Sequence, residues 1–175
     1  FSGLALGNYR LCEVLPGDWS QTRPGANQGV ANQSGATDEG PRCLNVNLQE
    51  AGETQERRFG NFQHARVNVA KLEDLNTNGQ RDDGEPLIEW KFRMYDEQWN
   101  LLDEKASTDG GRAHFSVGGP GNYHVCELLP DGWTQSFPAS ATGDAVENQS
   151  GASDEAKYCR VVTVSESGQR VGTGF

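Results

Sequence analysis

The sequence predicts an all-β chain built from tandem β-sandwich repeats. Twenty-two glycines and seven prolines among 175 residues favour many short strands joined by tight turns. Hydrophobic residues make up only 34% of the chain, so each core must be thin and must be supported by covalent or metal cross-links. A long segment near the start recurs near the end, which indicates a repeated domain.

The repeat becomes visible when the chain is laid over itself. Residues 7–16 match residues 121–130 at an offset of 114, and residues 32–36 match residues 148–152 at an offset of 116. A period near 115 residues indicates an array of whole domains, because the units of solenoids run about 20–50 residues. We therefore predict the C-terminal half of a first β-sandwich repeat at residues 1–63 and a second, nearly complete repeat at residues 64–175.

Phe1 matches Phe115, so the first repeat lacks counterparts of residues 66–114. We expect the sequence to be a mature chain or a piece of one, extending in both directions through further copies. The alternative is that a neighbouring molecule completes each half domain.

Alternation of apolar and polar residues predicts five strands in the second repeat. They lie at residues 67–71, 90–95, 113–117, 123–127 and 160–164. No helical stripe of 12 residues competes with them.

Charge and motifs exclude several functions. The net charge of −10 argues against nucleic acid or an anionic membrane as partner, because phosphate binding needs clustered Lys and Arg. No apolar run approaches the ~20 residues of a membrane span. The chain shows no Ser-His-Asp arrangement, no glycine loop for phosphate and no catalytic metal triad, so we expect it not to be an enzyme.

Residues 74–85 have the spacing of a calcium-binding loop. Oxygen-bearing side chains occupy positions 1, 3, 5, 9 and 12, glycine occupies position 6, and position 7 offers its carbonyl. The predicted ligands are Asp74, Asn76, Asn78, Gln80, Asp82 and Glu85. The alternative is an ordinary polar turn. Because no amphipathic helix flanks the loop and Pro86 follows it, we expect a structural clip between strands.

The cysteines are arranged one pair per repeat, which predicts the disulfides Cys12–Cys43 and Cys126–Cys159. A disulfide that closes a loop of this length stabilises a domain by about 3–4 kcal/mol. Disulfides also imply an oxidising compartment. The alternatives are two pairs of buried free thiols and, less favoured, a zinc site.

Other polar and aromatic positions recur in both repeats. Asn32 and Asn148 begin Asn-x-Ser sequons, which predict glycosylation or else plain polar loops. Trp19 and Trp133 are expected in the core, with a sugar-binding platform as the alternative. Trp99, at a predicted hairpin tip, is the expected exposed contact.

The sequence resembles a known family over all of the second repeat and the matching half of the first. Asp-Leu-Asn-Thr-Asn-Gly at 74–79, Gly-Asn-Tyr-His-Val-Cys-Glu at 121–127 and Pro-Asp-Gly-Trp at 130–133 are similar to the B-type repeats of Gram-positive collagen adhesins and serine-aspartate repeat surface proteins. The resemblance implies a prealbumin-like, Ig-like β-sandwich in tandem stalks on the cell surface or in pili. It also implies calcium in some members and, in others, a Lys–Asn isopeptide bond promoted by a buried Glu.

Carried onto this chain, that bond would use Lys71 as the amine and Glu127 as the catalytic acid. Glu13 and Asn61 match the acid and the asparagine in the first repeat. The alternative is that Lys71 extends to solvent at a strand end and Glu127 caps a turn.

We therefore expect a structural section of an extracellular stalk, fibre or filament at the cell surface, rigidified by calcium and by intra-repeat disulfides. Its partners would be neighbouring copies of the same repeat or protein. The alternative is an adhesin or carbohydrate-binding module that binds a glycan or host-surface ligand through Trp99 or residues 134–157.

Overall fold

The computed structural model describes residues 1–108 and 110–175, and its regular structure is all-β. Within these residues thirteen strands and no helix are found, which confirms the predicted all-β class, while the tandem arrangement of the repeats stays a prediction. No helix of the described residues is long and apolar enough to cross a membrane. The strands are β1 (Gly7–Leu11), β2 (Trp19–Arg23), β3 (Val30–Ala31), β4 (Arg42–Leu48), β5 (Gly60–Gln63), β6 (Ala65–Ala70), β7 (Lys91–Tyr95), β8 (Leu101–Ala106), β9 (Arg112–Val117), β10 (Gly121–Glu127), β11 (Ala145–Glu147), β12 (Tyr158–Val164) and β13 (Arg170–Gly174).

The chain divides into two compact units, Phe1–His64 and Ala65–Phe175. The first unit holds β1 to β5 and the second holds β6 to β13.

The second unit contains two sheets. One has five strands in the order β11-β12-β10-β7-β8, and the other has three strands in the order β13-β6-β9. All pairs are antiparallel except β13 with β6, which is parallel. The ring centroids of Phe92, on β7, and Phe175, which follows β13, are 5.8 Å apart. Aromatic side chains from both sheets therefore meet in the core.

Burial follows the alternation that the sequence predicted. On β6 and β9 every second side chain is buried, and the alternate residues are wholly or partly exposed. All five predicted strands are present, with ends that differ by one or two residues. The difference that matters most is at β6. This strand ends at Ala70, so Lys71 lies just outside it.

The first unit shares strands and register with part of the second. β1 pairs with β4 through Tyr9↔Val46, and β10 pairs with β12 through Tyr123↔Val162. β3 pairs with β4 in the same way that β11 pairs with β12. The matched sequence segments therefore form matched ladders.

The first unit also differs from the second in two respects. β10 pairs with β7 as well as β12, whereas β1, among the described strands, pairs only with β4. Residues 54–58, which correspond to β13 at the offset of 116, form no strand. In the second unit β13 pairs with β6, and the first unit has no counterpart of β6.

Gly111 allows a close backbone approach at the entrance to β9. Its φ is +66°, and a Cβ atom at this position would lie 2.5 Å from the carbonyl oxygen of Ile88. Its own carbonyl accepts a hydrogen bond from the Lys71 amide, and the Ile88 amide donates to the Lys71 carbonyl. The absence of a side chain at Gly111 therefore fixes the backbone on both sides of Lys71.

We expect Gly111→Ala to destabilise the second unit more than Gly110→Ala. Both glycines have positive φ, which costs alanine about 1–2 kcal/mol, but only Gly111 lacks space for a Cβ atom. The clash should add about 1–3 kcal/mol. Urea unfolding followed by tryptophan fluorescence measures both, and equal losses in the two variants would contradict this account.

Candidate functional site

Each unit is closed by one disulfide, as the repeat predicted. Cys12 bonds to Cys43 in the first unit and Cys126 bonds to Cys159 in the second, with Cα atoms 4.4 Å apart in both. In the second unit the two cysteines are fully buried on the adjacent strands β10 and β12. The disulfide prediction is confirmed, and the free-thiol and zinc alternatives are wrong.

A loop of nearly identical sequence lies inside each disulfide ring. Residues 148–155 read Asn-Gln-Ser-Gly-Ala-Ser-Asp-Glu, and residues 32–39 differ only by Thr for the second Ser. Asn148 Nδ2 donates to Glu155 Oε2 at 2.8 Å and to the Ala156 carbonyl at 3.1 Å, and Ser150 Oγ donates to the same Glu155 oxygen at 2.7 Å. The loop is therefore closed by one carboxylate that collects two side-chain donors from the loop itself.

The first unit repeats this network atom for atom. Asn32 Nδ2 donates to Glu39 Oε2 at 2.9 Å and to the Gly40 carbonyl at 3.0 Å, and Ser34 Oγ donates to Glu39 Oε2 at 2.6 Å. The hydrogen bond from Ser34, followed by that from Asn32, lowers the pKa of Glu39.

These contacts give the two sequon asparagines a structural role. Both hydrogens of each amide nitrogen are used, so a glycan on Nδ2 of Asn32 or Asn148 would remove one of the two bonds. Glycosylation remains a prediction.

The residue that follows each loop also holds the main chain of a glutamate earlier in the same unit. The Ala156 amide donates to the Glu127 carbonyl at 3.0 Å, and the Gly40 amide donates to the Glu13 carbonyl at 2.9 Å. Each acid therefore has its main chain held by the loop of its own unit.

A glutamine in each unit was missed by sequence reasoning. Gln135 clamps the backbone of Tyr158 through both side-chain atoms, at 2.8 and 3.0 Å. Gln21 clamps Arg42 in the same way, at 2.9 Å for both bonds, and also donates to Glu13 Oε1 at 2.6 Å. The sequence offered one signal for these glutamines, because each lies two residues after the repeated tryptophan.

The central feature of the second unit is a buried ion pair. Lys71 Nζ lies 2.7 Å from Glu127 Oε2, and the two side chains are 5% and 0% exposed. The lysine also lies over the ring of Trp90, 5.3 Å from its centroid. Lys71 does not extend to solvent and Glu127 does not cap a turn, so both alternative interpretations are wrong.

This pair links the two sheets, because Lys71 follows β6 and Glu127 ends β10. Burial raises the pKa of Glu127, while the positive charge of Lys71 acts in the opposite direction. Taking two charges out of water is costly, so the pair is stable only as a pair.

The residues predicted for an isopeptide bond do not meet in one unit. Lys71 and Glu127 lie together in the second unit, whereas Glu13 and Asn61 belong to the first. Asn61 lies on β5 opposite Gln21, the residue that donates to Glu13, and residues 1–64 contain no lysine. The isopeptide bond remains a prediction.

The predicted calcium loop folds around its own oxygen atoms. Glu85 is buried and accepts hydrogen bonds from the amides of Leu75 and Asp82, at 3.0 and 2.9 Å. Asp74 accepts from the amides of Gly79 and Asn78, at 2.8 and 3.2 Å. Gly79 has a φ of +72°, which is the left-handed turn expected at position 6.

The remaining predicted ligands are also joined to one another. Asn76 and Asn78 donate from Nδ2 to Asp82 Oδ2, at 2.7 and 2.6 Å, and the Gln80 amide donates to Asn78 Oδ1 at 2.7 Å. The described residues include no group of three or more His, Cys, Asp or Glu placed to hold a metal ion. The loop does offer carboxylate and amide oxygens, the ligands that calcium prefers, so the residue types fit while calcium itself remains a prediction.

The tryptophans differ from expectation. Trp99 is only partly exposed, and its ring stacks on His124 at 4.1 Å and lies 5.8 Å from Tyr95, so the expected exposed contact is wrong. Trp133 is 41% exposed and contacts Trp90 edge to face at 4.8 Å, so it lies at the margin of the core. Trp19 is partly buried.

Comparison with known proteins gives only distant similarity. No family model and no curated protein matches the chain. Among solved structures, the Bacillus anthracis TIE protein is 16% identical over 85% of this chain and 22% of its own length, with a TM-score of 0.44. A variant of BcpA, the major pilin subunit of Bacillus cereus, is 11% identical over 97% of this chain and 59% of its own length, with a TM-score of 0.41. Similarity at this level transfers neither fold nor function.

A double-mutant cycle tests the buried pair. Lys71→Met and Glu127→Met should each lower the free energy of unfolding by about 3–5 kcal/mol, because each leaves an uncompensated buried charge. The double variant should lose less than either single variant, since it buries no charge. Urea unfolding measures all four proteins, and additive losses would show that the two groups are not coupled.

The pH dependence of stability gives a second test. Because burial raises the pKa of Glu127 in the folded state, its contribution to stability is complete below the unfolded pKa of about 4.3 and declines as pH rises through the folded pKa. Glu127→Gln cannot titrate, so we expect its stability to change less with pH over this interval. Denaturant unfolding at a series of pH values measures the two slopes, and parallel slopes would contradict the assignment.

Proposed function

We propose that this chain is a structural section of an extracellular stalk, fibre or filament at a cell surface. The observation that carries the proposal is the duplicated staple, a disulfide around an Asn-Ser-Glu loop that recurs with the same hydrogen bonds in both units. Disulfides persist in oxidising compartments, which supports a location outside the cytoplasm. A repeated brace is useful to a protein whose role is to hold its shape.

The staples support this role because they act inside each unit. Cys126 and Cys159 join neighbouring strands of one sheet, and Lys71 with Glu127 joins that sheet to the other. A unit braced in this way does not depend on a large hydrophobic core, which the composition does not supply. The same unit can therefore be repeated along a chain, with neighbouring copies of the repeat as its partners.

The proposal is tested by electron microscopy of material released from the source cells and labelled with an antibody against this chain. Labelled, continuous fibres with a regular axial repeat are expected, and a reductant should make them fragile by opening Cys12–Cys43 and Cys126–Cys159. Label found only on discrete particles would overturn the structural role and favour the binding-module alternative.

We further propose that the loop at residues 74–85 binds calcium and clips the path between β6 and β7. Asp74, Asp82 and Glu85 would supply charge, and Asn76, Asn78 and Gln80 would supply neutral oxygens. The ion would neutralise three carboxylates that now rely on amide and backbone donors. Its role would be structural, because β-strands rather than hinged helices flank the loop.

Chelation tests the calcium site. We expect a chelator to lower the Tm of the wild-type chain, while the Asp74→Ala variant should melt at the same temperature with or without chelator. Asp83→Ala is the matched control, because Asp83 lies in the same loop but outside the ligand pattern, and it should keep the sensitivity. Differential scanning calorimetry with isothermal titration of calcium measures both effects. An unchanged wild-type melt together with no heat of binding would rule out the site.

A further inference from the structure

The first unit carries an apolar face that residues 1–64 cover only in part, with residues 1–4 and 52–57 at the rim. Every second residue of β1 and β4 points to this side, and the face forms the floor of a groove of about 670 Å³. Its floor residues are Tyr9, Leu11, Val46 and Leu48. All four are only partly buried.

The second unit shows how such a face is covered. The residues that correspond to Leu11, Val46 and Leu48 are Val125, Val162 and Val164, and they are 0%, 5% and 1% exposed. The sheet that contains β6 and β9 supplies the opposing apolar layer. Its buried side chains on those two strands are Ala65, Val67, Val69, Ala113, Phe115 and Val117.

The edge of β1 is open in the same way. In the second unit the corresponding edge of β10 pairs with β7, through His124↔Tyr95 to Glu127↔Phe92. Among the described strands, β1 has no neighbour on this side. Residues 54–58 lack a strand partner too, whereas their counterpart β13 pairs with β6. An open strand edge is a template for a further strand.

The charges at this edge also point to a specific occupant. Glu13 corresponds to Glu127, whose carboxylate is matched by Lys71. In the first unit Glu13 accepts a hydrogen bond from the neutral side chain of Gln21, and residues 1–64 contain no lysine. A segment docked in the manner of residues 65–117 would bring a lysine to Glu13.

A second copy of these 175 residues cannot cover the apolar face by lending its own covering segment. Each copy has two faces that need cover, on residues 1–64 and 118–175, but only one covering segment, residues 65–117. If one copy lent its segment to another, it would uncover its own second unit. The exchange leaves the buried apolar area unchanged and so provides no driving force.

We propose that the open face and the β1 edge of the first unit form a docking site for a further strand-bearing segment of the same type as residues 65–117, supplied by a neighbouring repeat. The segment would place one strand beside β1, in the position that β7 takes beside β10, and an apolar layer over the groove. The choice of a neighbouring repeat as the partner rests on the structural role proposed above. The docking site would be the contact by which successive repeats join.

The test attaches a covering segment to the intact chain. A second copy of residues 65–117, which contains no cysteine, is fused ahead of Phe1 of the full chain through a flexible Gly/Ser linker. We expect amide hydrogen exchange in β1 at Arg10, the counterpart of His124, to slow at least tenfold relative to the unfused chain. Exchange at the β1 edge that stays as fast as in the unfused chain would overturn the proposal.

Matched variants show whether the protection comes from the proposed face. Leu11→Asp, in the groove floor, should return the β1 amides of the fusion to their unfused exchange rates. Asn45→Asp, on β4 but facing the other side, should leave the protection intact. Equal loss in both variants would overturn the assignment of the face.

Two further outcomes separate this proposal from others. If the unfused chain dimerises in analytical ultracentrifugation with its β1 amides protected, a second copy is the occupant and the proposal is wrong. If labelled fibres are seen in cell material but the fusion gains no protection, the docking site is wrong while the structural role stands.

Discussion

A carboxylate with no exposed surface, that of Glu127, must be matched by positive charge, and much of the second unit follows from this requirement. Lys71 supplies the charge from the end of β6, with the face of Trp90 beneath it. Gly111 allows the backbone to approach Lys71 closely enough to hold it, and the Ala156 amide holds the main chain of Glu127. The disulfide at the neighbouring Cys126 fixes the strand that carries the acid.

The two units separate local stabilisation from long-range stabilisation. The disulfides close loops of 31 and 33 residues, and the Asn-Ser-Glu network lies inside each loop, so both features form in either unit. The ion pair needs β6, which only the second unit contains. In the first unit, where residues 1–64 contain no lysine, Glu13 accepts a hydrogen bond from the neutral side chain of Gln21.

Much of the fold followed from patterns within the sequence, because alternation reports which side of a strand is buried and the repeat assigns the cysteines. Periodicity could not show that Lys71 and Glu127 meet, since 56 positions separate them and alternation carries no distance between sheets. Only the family resemblance placed the two residues at one site. It also misplaced Trp99, whose polar neighbours suggested an exposed tip, because His124 on another strand offers a ring to stack on. Gln21 and Gln135 were missed because their role is defined by the backbone that they clamp.

The parallel pairing of β13 with β6 determines how the second unit would respond to a pulling force. These are the last and first strands of the unit, and their register runs from Arg170↔Arg66 to Gly174↔Ala70. Because they run in the same direction, the chain enters at one end of the pair and leaves at the other. Tension on the polypeptide therefore loads the ladder between them in shear, so that its hydrogen bonds resist together and do not open one by one.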